Sequence, residues 1–271
     1  MEFSVLSSSS KANSVYVRSG ETRVLFDCGL SAKKTVERLT SIDVDPESIN
    51  AIVVSHEHGD HVRGIKAFVK KFGIPVFANR LTAKAAGLRT ECFPGDCFIF
   101  DTSNEFIVGD LKIEPIPISH DAAEPVSFCI RDSSYGLGIV TDLGYVTDSV
   151  REALRGLDGL VLETNHDPDL LYEAPYPESI KQRIRGRLGH LSNCEAASLL
   201  FEISQRDLDR LQVVVAAHIS EKSNYEELAI EALRSAWQSS SRSPNVLAAS
   251  AYFPTDVLSL IEDEEKITVN A

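Results

Sequence analysis

A short apolar run recurs along this chain, and each time it ends on a histidine or a carboxylate. The runs are RVLFD, AIVVSH, KIEPIPISH, GIVTD, GLVLE and QVVVAAH, which end on Asp27, His56, His120, Asp142, Glu163 and His218. Apolar runs of this length are typical of buried strands. Core strands normally finish in turn residues, so repeated ionisable endings indicate that several strand ends meet at one site.

Helical segments lie between these runs. In VRGIKAFVKKFG the apolar residues fall at helical spacing, and Gly73 is the predicted C-cap. Two further segments open with the spacing of a capping box, which pairs Ser192 with Glu195 and Ser223 with Glu226. Strands in both halves with helices between them favour two sheets packed face to face and covered outside by helices. We therefore expect an α/β (α+β) chain folded as one four-layer αββα sandwich.

Composition narrows the class of protein. With 271 residues, 43% of them hydrophobic and 25% charged, the chain is long enough for a sizeable core. No window has the apolar length of a membrane span, and MEFSVLSSSS lacks the features of a signal peptide. The odd number of cysteines favours a reducing, cytoplasmic setting in which they are small buried residues; they are Cys28, Cys92, Cys97, Cys129 and Cys194.

The stretch VVSHEHGDHVRG carries a dense set of metal-binding residue types, namely His56, His58, Asp60 and His61. On an extended chain, His56 and His58 point the same way, whereas Asp60 and His61 can face a second ion once the chain turns at Gly59. Imidazole and carboxylate ligands suit zinc, and also manganese or iron. A solvated polar loop is the alternative, but four such residues within six positions at a strand end favour a metal site.

This H-x-H-x-D-H run resembles the signature of the metallo-β-lactamase superfamily, and the other strand-end residues follow the order that this superfamily uses. The resemblance extends from position 27 to 218 and implies a single metallo-β-lactamase-like domain over residues 1–271. It also implies two divalent metal ions, with zinc first and manganese or iron as alternatives. One ion would be held by His56, His58 and His120, the other by Asp60, His61 and His218, with Asp142 as the bridge and Asp27 and Glu163 as bracing carboxylates. Hydrolysis by a metal-bridging hydroxide, oriented by Asp60, is the chemistry this implies.

Further stretches are similar to the nucleic-acid phosphodiesterases of this superfamily. SSSSKANS, residues 7–14, resembles the opening SSSxGNS of YycJ (WalJ)-type exonucleases, which implies that Ser9 and Asn13 hold a phosphate. HDAAEPVSF, LETNHD and GHLSN resemble the same branch and contribute His166 and His190 as candidate general acids. Ser220 is a further predicted substrate-binding residue. A plain polar turn and structural histidines are the alternatives for these stretches.

The stretch KQRIRGRLGH, residues 181–190, gathers four basic side chains in a chain of net charge −13. Acidic residues stop before it, a predicted helix N-terminus follows it, and arginine is well suited to bidentate phosphate contact. We therefore predict that the Arg183–Arg187 stretch holds substrate phosphates, with Arg185 and Arg187 as the contacts. A solvated charged face is the alternative.

Together these features predict a dinuclear metal-dependent phosphodiesterase, specifically a 5′-to-3′ exonuclease on DNA or RNA. Two alternatives stay open: a hydrolase of a small molecule (a cyclic phosphodiester, a thioester or a lactone), and a metal-binding protein without turnover. Nucleic acid is the expected partner, although the acidic balance of the chain counts weakly against it. No membrane partner is expected, and the oligomeric state stays open.

Overall fold

The computed structural model describes residues 1–89, 93–207, 210–237 and 243–261. Its strands are β1 (Glu2–Ser7), β2 (Ser14–Ser19), β3 (Thr22–Phe26), β4 (Ala51–Val53), β5 (Val76–Ala78), β6 (Cys97–Ile99), β7 (Phe106–Val108), β8 (Leu111–Pro117), β9 (Val126–Arg131), β10 (Gly136–Val140), β11 (Gly159–Glu163), β12 (Val213–Ala217), β13 (Asn245–Ala248) and β14 (Leu258–Ser259). Its α-helices are α1 (Ala32–Ser41), α2 (Gly59–Val62), α3 (Ile65–Phe72), α4 (Arg80–Ala85), α5 (Asp148–Ala153), α6 (Pro168–Glu173), α7 (Glu178–Ile184), α8 (Asn193–Asp207) and α9 (Glu226–Ser235).

The strands form two mixed sheets built on the same plan. The first has the order β14-β1-β2-β3-β4-β5-β6 and the second β13-β12-β11-β10-β9-β8-β7. In each sheet one half is antiparallel and the other half, β3 to β6 or β10 to β13, is parallel. Parallel neighbours need long crossover connections, and these carry the helices that cover the outer faces.

Three apolar layers separate the sheets and helices. Phe26 and Val161 lie in the core between the two sheets. Leu25, next to Phe26, points to the opposite face and packs with Phe68 of α3, as the two-residue period of a strand requires. Leu160 likewise turns outward to the helices on the second sheet. Three cores between four layers confirm the predicted αββα sandwich.

The sheet register brings the ends of the parallel strands to the same level. Phe26 pairs with Val53, so Asp27 follows β3 just where the chain leaves β4 toward the histidine-rich stretch. On the second sheet Glu163 pairs with Ala217, which places Glu163 beside the residue that follows β12, His218. The first sheet therefore supplies one side of the polar site, and the second sheet supplies the other.

Two of the predicted helix ends are confirmed. Helix α3 stops at Gly73, whose φ of 69° is the left-handed conformation that glycine adopts at low cost. At the start of α8, the Ser192 amide donates to Glu195 Oε2 at 2.9 Å, and the Glu195 amide donates to Ser192 Oγ at 3.3 Å. This reciprocal pair is the predicted capping box.

The second predicted capping box is wrong. Helix α9 begins at Glu226, and the residue that caps it, Tyr225, makes no side-chain cap hydrogen bond. Ser223 is fully buried, and its hydroxyl donates instead to Ser220 Oγ at 2.8 Å. A different short-range hydrogen bond, to the residue three positions earlier, has replaced the predicted cap.

The cysteine prediction is confirmed only in part. Cys28 and Cys129 are buried, and burial raises the pKa of each thiol to about 12. Cys97 is half-buried, and Cys194 is exposed, so the expectation of burial is wrong for Cys194. Cys92 lies outside the described residues.

No described helix combines the length and the apolar character needed to cross a membrane. Glu2 of β1 pairs with Ser259 of β14, so both ends of the described chain lie in the first sheet. Residues 262–271 of the predicted single domain lie outside the described residues.

Candidate metal centre

Three of the polar residues that follow the strands have a left-handed backbone conformation. Asp27, Asp142 and His218 directly or closely follow β3, β10 and β12, and they have positive φ angles of 60°, 59° and 54°. A left-handed conformation is uncommon for residues other than glycine and costs free energy of order 1 kcal/mol or more. Here it turns each chain sharply at the strand end and directs the side chain into the common site.

One cluster consists of three histidines, His56, His58 and His120, with one ligand atom of each within 4.8 Å of the others. The His120 Nδ1 donates to the Gly189 carbonyl at 3.1 Å, and this leaves Nε2 facing His58 Nδ1 at 3.3 Å. The His56 Nδ1 lies 3.0 Å from Ser55 Oγ, which itself donates to Asp27. Such contacts fix which ring nitrogen is available to a metal.

A second cluster consists of Asp60, His61 and His218. Asp60 Oδ2 lies 3.4 Å from His61 Nε2 and 3.8 Å from His218 Nε2. Asp142 stands between the two clusters, because Oδ2 lies 3.1 Å from His61 Nε2 while Oδ1 lies 3.7 Å from His120 Nε2. Two of the clusters thus match the sets that the resemblance implied, with Asp142 within reach of both. The same spacing also groups His56 with His61 and Asp142, and His218 with Asp142, Glu163 and His190, so the division of ligands between two ions stays a prediction.

Two buried carboxylates hold the imidazoles from behind. Asp27 Oδ2 accepts from His61 Nδ1 at 2.7 Å, and its other oxygen accepts from the Ser55 amide at 2.8 Å. Glu163 Oε1 accepts from His218 Nδ1 at 2.9 Å and from His190 Nδ1 at 2.8 Å. A carboxylate can only accept here, so these bonds place a proton on Nδ1 and leave Nε2 as the ring nitrogen that can bind a metal.

In this site, burial and neighbouring charges shift the pKa values of the side chains in opposite directions. Burial lowers the pKa of His56 well below its ordinary value. Burial also disfavours the charged form of His218, but Asp142, Asp60 and Glu163 outweigh it and raise the pKa of His218 to about 10. Burial likewise disfavours the Asp142 carboxylate, yet His218 and His61 hold its pKa well below the usual range. The buried carboxylates therefore demand nearby positive charge, which a metal ion supplies while it releases the histidine protons.

The donor set fits divalent metal ions. His56 Nε2 and His218 Nε2 are buried and have no hydrogen-bond partner among the described residues. An unpaired buried polar atom costs free energy unless something binds it. Both atoms belong to the clusters of imidazole and carboxylate donors, which are ligands for first-row metals. The clusters therefore indicate divalent metal ions.

A cavity of about 340 Å³, termed here the metal cavity, opens onto both clusters. Its polar wall includes His58, Asp60, His120, Asp142, His190 and His218. Helix α7 and the turn after it form another part of the wall. The residues of this part are Ile180, Arg183, Ile184 and Leu188. At Gly189 the backbone lies directly against the end of α7. Any larger residue would collide there, because a Cβ at this position would lie 2.1 Å from the Ile184 carbonyl oxygen.

The arginines of the basic stretch, residues 181–190, differ in whether they line the metal cavity. Arg183 lines the metal cavity and donates to Asp121 Oδ2 at 2.7 and 2.8 Å. Arg185, one of the two predicted phosphate ligands, lies outside the cavity wall and pairs with Glu178 at 2.7 Å. The other, Arg187, also lies outside it, with its guanidinium 3.8 Å from the centre of the Tyr145 ring.

Arg183 belongs to the stretch predicted to hold phosphates, although the sequence favoured Arg185 and Arg187 as its contacts, and a signal for Arg183 exists. Ile180, Arg183 and Ile184 are spaced as one face of a helix, and the structure turns that face toward the cavity. A helix assignment over residues 178–184 would have separated Arg183 from Arg185.

The predicted phosphate loop at residues 7–14 packs inward. Ser9 and Asn13 are only 1% and 5% exposed. Asn13 Nδ2 donates to Asp60 Oδ2 at 3.1 Å, and Asn13 Oδ1 accepts from the Ser9 amide at 3.1 Å. In this arrangement the loop positions Asp60, and direct contact of Ser9 or Asn13 with a phosphate stays a prediction.

The two candidate general acids occupy different places. His190 lines the metal cavity, whereas His166 is 2% exposed and does not line it. Burial lowers the pKa of His166, and its Nδ1 has no hydrogen-bond partner among the described residues. Ser220 accepts from Ser223 and borders a separate cavity. Of the two histidines, His190 is the one placed to reach a substrate in the metal cavity.

Comparisons with known proteins agree with this geometry. Residues 22–219 match the model of the beta-lactamase superfamily domain. The chain is 35% identical over 230 residues to "Exodeoxyribonuclease YycJ" of Bacillus anthracis, covering 84% of this chain and 86% of that protein. It is 33% identical over 233 residues to "Exodeoxyribonuclease WalJ" of Streptococcus pneumoniae, covering 84% and 85%. Among solved structures, the metallo-beta-lactamase fold protein YhfI from Bacillus subtilis superposes with a TM-score of 0.72 at 17% identity, covering 94% of this chain and 98% of that one.

Proposed function

Because this chain belongs to the metallo-β-lactamase superfamily, in the branch of the YycJ and WalJ proteins, and is a metal-dependent hydrolase, we propose that it is a phosphodiesterase that removes nucleotides from the 5′ end of DNA. The observation that carries this proposal is the alignment of 84% of the chain with relatives named as exodeoxyribonucleases. The metal cavity supports it, since a basic side chain, Arg183, lines this cavity together with the candidate metal ligands.

Bound divalent ions would supply an activated water near neutral pH and positive charge for the transition state. We propose zinc as the resident metal, because imidazole and carboxylate ligands in this number suit it, with manganese and iron as the alternatives. Metal analysis of protein purified from its native host decides among the three. A content well below two ions per chain would contradict the dinuclear site.

Asp60 and His190 have the positions that proton handling requires. Asn13 holds the Asp60 carboxylate at 3.1 Å, which fixes it at the cavity wall, where it can orient the attacking water. His190 is held through Nδ1 by Glu163, so Nε2 is the atom that would give a proton to the departing sugar oxygen. We propose these roles, and His190 rather than His166 as the general acid.

Arg183 is the proposed contact for a phosphate next to the cleaved bond. Its present partner is Asp121, whose other oxygen lies 3.5 Å from His120 Nε2. A phosphate in the cavity would take the place of Asp121 at the guanidinium, because arginine matches phosphate oxygens in a bidentate manner. Asp121 would then be free to turn toward the imidazoles.

The test is an assay of the metal-loaded protein on linear DNA carrying a label at either the 5′ or the 3′ end. Early release of the 5′ label as mononucleotide is expected, with His58→Ala as the inactive reference. RNA of the same sequence shows whether the sugar matters. Hydrolysis of a chromogenic phosphodiester or thioester with no cleavage of either polynucleotide would replace the proposal by a small-molecule hydrolase.

We also propose a reducing, cytoplasmic location. The described cysteines, Cys28, Cys97, Cys129 and Cys194, are all free thiols. Free thiols are the usual state in such compartments. Fractionation of the native host with an antibody to the protein tests this.

A further inference from the structure

A second cavity, of about 460 Å³, is lined by the chain segment that follows a residue of the metal cavity. Ile219 and Ser220 line it and directly follow the metal-cluster residue His218. Ser8 also lines it, and its hydroxyl accepts from the His218 amide at 2.7 Å. The segment that positions His218 is therefore also the boundary of this cavity, termed here the tyrosine cavity. Its volume falls in the range of about 300–1,000 Å³ that is typical of small-molecule sites.

Two tyrosines form the aromatic part of the tyrosine cavity. Tyr225 and Tyr252 both line it, and each is 60% exposed. The Tyr252 hydroxyl donates to Glu221 Oε1 at 2.8 Å, and Lys11 Nζ binds the same carboxylate at 2.7 Å. These bonds hold the Tyr252 ring in place. Exposed aromatic rings held on a concave wall are the usual platform for stacking a nucleic-acid base.

The charged residues that line the tyrosine cavity determine whether a phosphate or an uncharged ring binds there. Glu221, Glu226 and Glu227 line it. Lys11 pairs with Glu221, so Glu226 and Glu227 carry the remaining negative charge. These two carboxylates repel a phosphate, but their oxygens accept hydrogen bonds from the N–H groups of an uncharged ring. The neighbouring metal cavity offers the opposite environment, with Arg183 and the metal ligands. A nucleotide would therefore place its phosphate in the metal cavity and its base in the tyrosine cavity.

We propose that the tyrosine cavity is a nucleobase subsite, in which the base of a nucleotide next to the cleaved bond stacks on Tyr225 and Tyr252. This inference rests on the proposed nuclease function and specifies how the substrate is held. Since every base has an aromatic face, stacking of this kind tolerates any sequence. The subsite would therefore favour polynucleotides over phosphodiesters without bases, whatever the sequence.

The first measurement compares two oligonucleotides, one normal and one with abasic residues on both sides of the cleaved bond. The wild-type chain is expected to prefer the normal oligonucleotide by roughly tenfold or more in kcat/KM. Tyr225→Leu combined with Tyr252→Leu should bring this ratio close to one. The ratio is informative even if the double variant loses part of its general activity. Tyr172→Leu is the matched control, because Tyr172 is 76% exposed and lines neither cavity.

The second measurement does not depend on cleavage. Calorimetry on the metal-loaded protein compares thymidine 5′-monophosphate with deoxyribose 5-phosphate, which has the same phosphate and sugar but no base. Tighter binding of the nucleotide, lost in the double variant and kept in Tyr172→Leu, is expected. Equal binding of the two ligands, or a preference that survives both tyrosine substitutions, overturns the subsite. Absence of DNA cleavage by the wild type contradicts the nuclease instead, and the calorimetry still decides the subsite.

Discussion

The metal centre and the basic stretch both carry functional residue types, but different forces position them. Five of the seven candidate metal ligands are buried, and carboxylates at two strand ends hold the rings of His61 and His218. The arginines of the basic stretch are exposed, lie on a short helix and the turn after it, and each has a partner within the chain. Strand register thus fixes the first region, whereas the second depends on the direction in which one helix face points. A substitution in the first should disturb metal binding, and one in the second should alter only substrate binding.

Removing the charge of Asp142 should have the largest effect. Asp142→Asn keeps the volume of the side chain but lowers the negative charge between the two clusters. We expect at least roughly a hundredfold loss of hydrolysis and a metal content below that of the wild type, because this carboxylate is within reach of both sets of ligands. Elemental analysis and a phosphodiesterase assay on the same sample measure the two effects.

The control for this variant is Asp43→Asn. Asp43 has the same left-handed backbone, with φ of 58°, but it is exposed and does not line the metal cavity. This control measures any loss of metal content or activity that an aspartate-to-asparagine substitution causes by itself in a left-handed backbone conformation. Full metal content and activity in Asp142→Asn would remove Asp142 from the metal site.

Glu163→Gln should have the next largest effect, although Glu163 is placed behind the ligands. Its Oε1 accepts from both His218 and His190, and its Oε2 accepts from the Leu143 amide at 2.7 Å. A glutamine has one oxygen and one donor nitrogen, so it cannot accept all of these bonds. We expect a loss of about 10- to 100-fold in metal affinity, as is typical for residues that orient a ligand.

A zinc titration against a competing chelator measures this affinity. Asp27→Asn, tested in parallel, removes the corresponding brace on the first sheet, where one histidine rather than two depends on it. Its expected loss lies at the lower end of the same range. Unchanged zinc affinity in both variants would show that metal binding does not depend on the Glu163 and Asp27 carboxylates.

Arg183→Ala should separate substrate binding from metal binding. Arg183 lines the metal cavity but belongs to neither metal cluster. We expect unchanged metal content, a KM for DNA raised several-fold, and a salt dependence of log(kcat/KM) that is flatter by about one unit. Arg155→Ala is the control, because Arg155 pairs with Glu152 and lies away from the cavity wall. The same salt dependence in Arg183→Ala and the wild type would exclude a phosphate contact.

The difference between the two regions also explains what could be predicted from the sequence. The strand-end residues were found because a strand's period and its abrupt ending are local properties. Register then levels the strand ends within each sheet, and the packing of the two sheets brings Asp27 and His218 into one site. Within the predicted stretch the sequence favours Arg185 and Arg187 over Arg183, because the direction of each side chain follows from the packing of α7 on the cavity. The failed capping box at Ser223 has a different cause, since a short-range hydrogen bond to Ser220 takes its place. Local pattern thus predicted the candidate ligands, whereas the direction of the arginines depends on tertiary packing.

The smallest effect is expected when Arg185 and Arg187 are both replaced by alanine. If they hold phosphates, as the sequence predicts, those phosphates lie beyond the metal cavity, because neither side chain lines it. Each contact would also compete with an existing partner, Glu178 for Arg185 and the Tyr145 ring for Arg187. We therefore expect roughly a threefold loss or less in kcat/KM at low salt, with a flatter salt dependence and unchanged metal content. Measurement on long and very short oligonucleotides sharpens the test, because a distant phosphate contact affects only the long substrate. A salt slope equal to that of the wild type on both lengths would make Arg185 and Arg187 part of a solvated face, and would leave Arg183 as the arginine of the basic stretch that contacts substrate.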